Sequence, residues 1–330
     1  MEQRRPSYYD RFRCIAGACP DSCCQEWDVQ VDEGSVQRYL ALPGPLGDRL
    51  REKLTHDEDG DWTLQITDRR CPMWRQDGLC QIQYELGEEG LCQVCRQFPR
   101  LRHDYGDFLE LGLELSCPEA ARIILSAPSE PPVVDQVPGD EAPEYDQDAM
   151  AVLLQTREEA LQILDRAPLE NAAALLLLYA YRAQDRLDGA DAEPFDPEAE
   201  LAFGRSVAQP FSIQKLCDFY AGLEILTPRW KDLLDRPTAP TPWQEAHRAF
   251  LRYGIGRYWL QAVSDYDLIG RMKLILSGCV LIRHLGPDII PTAQLWSKET
   301  ENSAENMDSL LDGAYTAPAL TDAHLLGALL

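Results

Sequence analysis

The later part of the chain shows a regular spacing of apolar and polar positions. Apolar residues recur at i, i+3 and i+4, the spacing that places them on one face of an α-helix. This spacing predicts helices over 148–167, 169–187, 197–209, 212–226, 242–264 and 268–285, with shorter ones over 292–299 and 318–330. Consecutive amphipathic helices of these lengths are typical of an irregular α-helical bundle.

The first 127 residues show a weaker and more broken pattern. Short apolar repeats predict helices over 35–42, 46–54 and 118–125, the last beginning at a proline with an acidic residue close behind. Alternating apolar and polar residues predict strands over 62–66 and 108–115. This part of the chain therefore offers few long elements from which to build a core.

Residues 128–148 separate the two patterns. The segment holds five prolines and seven acidic residues but no basic residue. Such a composition is typical of a solvated linker or an extended wrap, and it marks a domain boundary. We therefore predict a mainly α fold, with a cysteine-rich metal-binding domain over 1–127, the linker, and an irregular α-helical bundle domain over 149–330.

The net charge bears on which partners the protein can bind, and the apolar runs of the sequence bear on its location. The 330 residues include 31 basic and 55 acidic side chains, which give a formal net charge of −24. Such a chain is poorly suited to nucleic acid or to an anionic membrane surface. The longest apolar run is about half as long as a bilayer span requires, and the N-terminus lacks the apolar stretch of a secretory signal. We expect a cytoplasmic protein.

Cysteine is the residue type that departs most from an ordinary composition. Nine of the eleven cysteines fall within the first 117 residues, beginning with Cys14-x4-Cys19-x3-Cys23-Cys24. Clustered cysteines in a reducing cytosol are typical of metal ligands or reactive thiols rather than disulfides. Four thiolates suit zinc and iron–sulfur clusters alike, so the spacing leaves both open.

Three cysteine motifs resemble the flagellin lysine-N-methylase family of the FliB type. They read CIAGACPDSCCQEWDVQVD, CPMWRQDGLCQIQYELGEEGLCQVCRQFPRL and LELSCPEAARIIL. The likeness continues in residues 253–285 and 294–311, and the N-terminal part also resembles cysteine-cluster proteins that chelate zinc or iron. The eight cysteines of the family pattern correspond here to Cys14, Cys19, Cys23, Cys24, Cys71, Cys80, Cys95 and Cys117.

The resemblance implies a cofactor, a donor and an acceptor. It implies an iron–sulfur cluster of the [4Fe-4S] type, with zinc as the alternative metal. It also implies S-adenosylmethionine as methyl donor and lysine side chains of flagellin or a similar surface protein as acceptor. A non-catalytic iron–sulfur or zinc-binding module and a cysteine-based redox protein remain the alternative functions.

Methyl transfer to an amine sets requirements that individual residues must meet. The acceptor lysine must lose its proton, although its ordinary pKa is about 10.4, so a carboxylate or tyrosine is needed beside it. Near the cysteine motifs the candidates are Tyr84, Glu88, Glu89 and Tyr105. Arginine binds carboxylates through paired hydrogen bonds, so Arg96 and Arg100 are candidates for holding the carboxylate of the donor.

Two further features of the sequence bear on this chemistry. It has no G-x-G-x-x-G after a predicted strand, so a donor site would differ from the usual nucleotide-binding fold. The chain contains only five lysines, and none lies inside a cysteine motif. We therefore expect a substrate lysine to meet no competing lysine near those motifs, although codon usage alone would also explain the shortage.

Overall fold

The computed structural model describes residues 1–23, 29–57, 59–68, 70–139, 142, 144–191 and 194–330. Helices dominate these ranges, which confirms the prediction of a mainly α fold. The α-helices are α1 Glu33–Ala41, α2 Gly44–Lys53, α3 Gln81–Leu86, α4 Gln93–Gln97, α5 Pro118–Leu125, α6 Gln147–Arg166, α7 Leu169–Leu187, α8 Pro197–Val207, α9 Ile213–Ala221, α10 Pro228–Leu234, α11 Glu245–Tyr258, α12 Leu268–His284, α13 Ile289–Glu301, α14 Ala304–Thr316 and α15 Asp322–Leu329.

The strands lie within the cysteine-rich residues 1–127 and the proline-rich segment 128–148. They are β1 Glu2–Arg5, β2 Val29–Gln30, β3 Leu54–His56, β4 Trp62–Leu64, β5 Arg100–Asp104, β6 Phe108–Leu113 and β7 Val133–Gln136. One sheet has the order β5-β6-β1-β7, and a smaller one has the order β2-β4-β3. In the larger sheet β1 runs parallel to β6 and antiparallel to β7.

The proline-rich segment is partly built into that sheet. Glu2 pairs with Gln136 and Arg5 pairs with Val133, so β7 lies along β1 although all four of its residues are exposed. This is the extended wrap that the composition allows. The segment also contains Asp140, Glu141 and Pro143, which lie outside the described residues.

Polar side chains fix the starting points of many later helices. Aspartate, serine or threonine caps α6, α8, α9, α10, α12, α13 and α14, and each accepts a hydrogen bond from a backbone amide of the first turn. Such caps satisfy donors that the helix itself leaves unpaired. The segment predicted as one helix over 242–264 instead begins at Glu245 and continues past Tyr258 as a tighter 3-10 turn, Trp259–Val263.

Two hydrophobic clusters form the interior. The larger one surrounds α12, which is buried on all sides, and it includes α5 as well as the later helices. A close approach at Gly254 brings α11 against α12, since a Cβ atom there would lie 2.6 Å from Ile275. The smaller cluster, which includes Val36, Leu50 and Met73, lies wholly within the first half of the chain. The domain limits at 127 and 148 stay a prediction.

Candidate functional site

A single cavity gathers most of the cysteines that the motifs single out. This cysteine cavity has a volume of about 190 Å³. It lies where the first, second and third cysteine motifs meet the end of α13. The cysteines that line it are Cys14, Cys19, Cys23, Cys80, Cys95 and Cys117. The fold therefore brings together residues from four separate segments of the chain.

The other two cysteines of the predicted set lie in different positions. Cys71 is buried in the smaller hydrophobic cluster, close enough to Cys80 for their charges to interact. Cys24 lies outside the described residues. Cys217 and Cys279 are buried in the helical core, as their apolar surroundings in the sequence suggest.

The protein environment favours the neutral form of three thiols of the predicted set, Cys71, Cys95 and Cys117. Burial, with a further contribution from Cys80, raises the pKa of Cys71 to about 12. Burial also raises the pKa of Cys117 to about 12, although amide groups in the first turn of α5 oppose the shift. The hydrogen bond shared with Cys92, followed by burial, raises the pKa of Cys95. Thiols of this kind become thiolates when a cation binds and supplies the compensating charge.

Four basic side chains also line the cysteine cavity: Arg13, Arg96, Arg100 and Lys298. The guanidinium carbon of Arg100 lies 5.2 Å from the centre of the Phe12 ring, which orients the side chain. Arginine presents a planar fork that matches a carboxylate. Arg96 and Arg100, the predicted donor-binding residues, line the same cavity as the six cysteines.

The four catalytic candidates are dispersed. Glu88 lines the cysteine cavity. Tyr84 is exposed, and Glu89 is exposed and lies 3.5 Å from Arg96. Tyr105 stacks on the Phe108 ring at a centroid distance of 4.7 Å and does not line that cavity. A catalytic role for any of the four stays a prediction.

An ion pair that the sequence gives no reason to expect closes one side of the cavity. The Lys298 Nζ atom lies 3.1 Å from Oδ1 and 3.0 Å from Oδ2 of Asp21. Gln294 donates to the same carboxylate at 3.1 Å, and the backbone amide of Ser22 donates to it at 2.8 Å. The Lys298 side chain is only 7% exposed. The expectation that no lysine lies near the cysteine motifs is therefore wrong. The fold brings Lys298 next to Asp21, from which it is separated by 277 positions in the sequence.

A second cavity adjoins the first across this ion pair. This outer groove has a volume of about 460 Å³. Asp21, Pro118 and Lys298 line both spaces, so the ion pair stands between them. Apolar side chains form much of the remaining wall of the groove, namely Ile15, Pro20, Pro228, Ile290, Pro291 and Leu295.

A network of buried polar groups lies next to the cysteine cavity. Ser116, which lines the cavity, donates a hydrogen bond to Glu114. Burial and the nearby Glu301 carboxylate raise the pKa of Glu114 to about 7. Glu301 in turn accepts a hydrogen bond from Tyr253 at 2.8 Å and lies 3.6 Å from Arg257. Burial and the Glu301 charge together favour retention of a proton by Glu114.

The functional residues that sequence reasoning missed share one helix. Gln294, Lys298 and Glu301 follow a helical spacing on α13, which is also the pattern of an ordinary solvent-exposed helix face, so the sequence alone does not mark them. Their partners Asp21 and Glu114 come from the cysteine-rich half. The α13 residues and these two partners come together only in the folded protein.

The cavity cysteines offer the ligand type of the iron–sulfur cluster or zinc ion that the motifs imply. Across the described ranges, no group of three or more histidine, cysteine, aspartate or glutamate side chains is arranged to hold a metal ion. Six cysteines around one cavity nevertheless match the ligand type that iron–sulfur clusters and structural zinc both take. The donor chemistry thus fits the group, and a metal-binding domain stays a prediction.

The fold and the cavity define a mainly helical protein whose cysteine-rich segments surround one space. The chain is 31% identical over 129 residues to the flagellar biosynthetic protein FliU of Salmonella muenchen, a match that covers 37% of this chain and 76% of FliU. It is 32% identical over 129 residues to the lysine-N-methylase of Salmonella typhimurium strain LT2, covering 37% of this chain and 32% of that protein. The chain belongs to this family of lysine-N-methylase and FliU proteins.

The match spans about a third of the length of the Salmonella lysine-N-methylase. No model of a protein family and no solved structure matches the chain. Within the described ranges, no helix combines the length and the apolar character that crossing a bilayer requires.

Proposed function

We propose that the protein is a protein-lysine N-methyltransferase that uses S-adenosylmethionine. Its acceptors would be lysine side chains of flagellin or of a similar surface protein. The names of two relatives, lysine-N-methylase and flagellar biosynthetic protein, support this activity and this substrate class. The observation that carries the proposal is the gathering of six family cysteines, three arginines and one aspartate–lysine pair around a single cavity.

The reaction requires few groups beyond those that the cavity offers. The acceptor nitrogen forms a bond to the methyl carbon, the carbon–sulfur bond of the sulfonium breaks, and S-adenosylhomocysteine leaves. In this proposal the nitrogen gives up one proton to the Glu88 carboxylate, the catalytic candidate that lines the cavity. In this proposal Arg96 and Arg100 bind the donor carboxylate, since paired hydrogen bonds from arginine favour that group. The cavity walls exclude water from the amine, and this lowers its pKa.

We further propose that the cavity cysteines hold an iron–sulfur cluster of the [4Fe-4S] type, with zinc as the alternative. Four thiolates are needed for such a cluster, and the ligands would come from Cys14, Cys19, Cys23, Cys80, Cys95 and Cys117, with Cys24 and Cys71 completing the family set. The bound group would cross-link separate segments of the chain. The folding of the first half of the chain would then depend on it.

A methyl-transfer assay tests the proposal. Protein purified without oxygen is mixed with flagellin and S-adenosylmethionine carrying an isotopically labelled methyl group, and labelled lysine is located by mass spectrometry. We expect donor-dependent methylation of flagellin lysines. Replacing two cavity cysteines, by Cys95→Ala and Cys117→Ala, should lower the rate by at least about tenfold, in line with the loss of metal ligands or their supports.

A matched control separates the cavity from general stability. Cys217 is buried in α9, away from the cavity, so Cys217→Ala should retain activity. Absence of labelled lysine with a folded, donor-binding protein would overturn the proposed enzyme and favour a non-catalytic metal module. Methylation that survives loss of the cavity cysteines would overturn their part in it.

A further inference from the structure

We propose that the Asp21 carboxylate is the binding site for the ammonium group of the acceptor lysine. We also propose that Lys298 fills this site with the chain's own ammonium when no acceptor is bound. The inference rests on the proposed lysine methyltransferase function and adds to it a place for the substrate amine. It concerns binding alone and involves no covalent step.

The carboxylate of Asp21 is already positioned to receive an ammonium group. Lys298 Nζ lies within 3.1 Å of both of its oxygens, a geometry that any primary ammonium can adopt. Gln294 and the amide of Ser22 hold the carboxylate from other directions. Gln294 is fixed in turn by a 2.7 Å hydrogen bond to the carbonyl of Ser116. Such support preorganises the acceptor atoms and reduces the cost of ordering them on binding.

The surroundings of the pair match the rest of a lysine side chain. The outer groove reaches Asp21 from outside, and its wall includes Ile15, Pro118 and Leu295. Apolar walls of this kind suit the four-carbon stem of lysine, which packs on apolar surface while its charge finds a partner. On the other side of the pair lies the cysteine cavity, where donor-binding arginines are proposed. A substrate ammonium at Asp21 would thus stand between its entry path and the methyl donor, and it would leave the carboxylate and lose its proton before the transfer, because the Asp21 charge favours the protonated form.

Charge gives the site its selectivity. Arg13, Arg96 and Arg100 would repel an ammonium group over much of the cysteine cavity. Among the described residues, two carboxylates line that cavity, those of Asp21 and Glu88. Asp21 faces that cavity and the groove alike. The acceptor must displace Lys298, whose flexible stem allows the ammonium to leave. Entry of a substrate ammonium exchanges one aspartate–ammonium pair for another, and the exchange requires the displaced Lys298 ammonium to move into the outer groove, which its side chain also lines, since an unpaired buried ammonium would be costly.

Amine rescue of a lysine-deleted variant tests the proposal without any methyl transfer. Lys298→Ala removes the internal ammonium and leaves space at the same carboxylate. Thermal unfolding of the purified variant is followed while n-butylammonium chloride is added, with n-butanol as the uncharged probe of similar shape. A saturable rise of about 2–4 °C in Tm is expected with the amine at about ten times its Kd, and no such rise with the alcohol.

Two further proteins serve as matched controls. The natural chain should show no saturable rise, because Lys298 already fills the site. The double variant Asp21→Asn/Lys298→Ala should show none either, because the carboxylate is gone. Equal stabilisation in the double variant, or none in a folded Lys298→Ala protein, would overturn the proposal. Should Lys298→Ala fail to fold, Lys298→Thr leaves a hydroxyl near Asp21 and takes its place with the same expected results.

The same variants distinguish failure of this inference from failure of the proposed function. Amine binding by Lys298→Ala in a protein that transfers no methyl group would overturn the enzyme and leave the ammonium site. An active enzyme whose Lys298→Ala variant binds no amine would retain the function and overturn the site. In an active enzyme, Asp21→Asn should raise KM for the acceptor by about tenfold or more while donor affinity stays unchanged.

Discussion

Replacing Glu114 by glutamine should change how the stability of the protein depends on pH. Glu114 lies between the cysteine cavity and the helical core, where Ser116 donates to it and Glu301 repels its charge. The positive charge of Arg257 opposes this effect and lowers the pKa of Glu114. Glutamine keeps an oxygen that accepts the Ser116 hydrogen bond and removes the group that ionises. The substitution therefore isolates the titration of one buried carboxyl.

The size of the effect follows from the pKa shift. The pKa of Glu114 rises from an ordinary 4.5 to about 7, because of burial first and Glu301 second. Between these two values the folded state binds more protons than the unfolded state, so stability falls as pH rises. The full penalty, reached above the folded pKa, is about 3 kcal/mol. Between about pH 5.5 and about pH 8.5 the penalty grows by about 2 kcal/mol.

Urea unfolding at these two pH values measures the effect. Tryptophan fluorescence in the presence of a thiol reductant gives the free energy of unfolding of each protein. Between the two pH values the free energy of unfolding of Glu114→Gln should fall by about 2 kcal/mol less than that of the natural protein. At the higher pH the variant should be the more stable of the two proteins. The control is Glu158→Gln, which alters an exposed glutamate on α6 and should leave the pH dependence unchanged.

The comparison between proteins removes the contributions of other groups that titrate in the same range. If Glu114→Gln and the natural protein lose the same free energy between the two pH values, Glu114 is ionised at both. The inference of a carboxyl that retains its proton beside the cysteine cavity would then be wrong.

Two further predictions use matched pairs of variants. Gly254→Ala should lower the free energy of unfolding by about 1–3 kcal/mol, because the added Cβ atom would meet α12. Gly256→Ala has open space around it and should raise the free energy of unfolding by about 0.5–1 kcal/mol. Equal effects of the two substitutions in urea unfolding would refute the close helix contact. Arg100→Gln should weaken binding of the methyl donor about tenfold or more in a calorimetric titration. The control Arg102→Gln removes an exposed partner of Asp104 and should leave donor affinity unchanged. Unchanged affinity in Arg100→Gln would exclude that arginine from the donor site.

Much of the helical half could be predicted because its helices are long and amphipathic. The segments predicted over 169–187 and 118–125 coincide with α7 and α5. Shorter helices were missed. The α10 and α14 segments are short or rich in polar residues, and their apolar positions are too few to stand out.

The strands that join distant segments could not be predicted from local pattern. The β1 sequence Glu2–Arg5 contains no apolar residue, and its partners are β6 and β7, more than a hundred positions away. Pairing of this kind is decided by the whole fold, because a strand at the surface lacks the alternation that burial of one face imposes.

The candidate site divides in the same way. The cysteines could be chosen from sequence because their spacing is unusual, and six of them line one cavity. The ion pair between Asp21 and Lys298 could not, because its members lie at opposite ends of the chain and each is an ordinary residue type in its own segment. The same holds for Glu114 and Glu301, whose significance comes from burial together.

Metal analysis of the protein purified without oxygen tests the central claim most directly. The cavity cysteines are proposed to hold one metal group, so the account predicts about four iron atoms and about four acid-labile sulfides for each chain, or zinc in the alternative case. Both iron and sulfide should fall sharply in Cys95→Ala and Cys117→Ala and persist in Cys217→Ala. A folded chain that contains neither iron nor zinc would contradict the account.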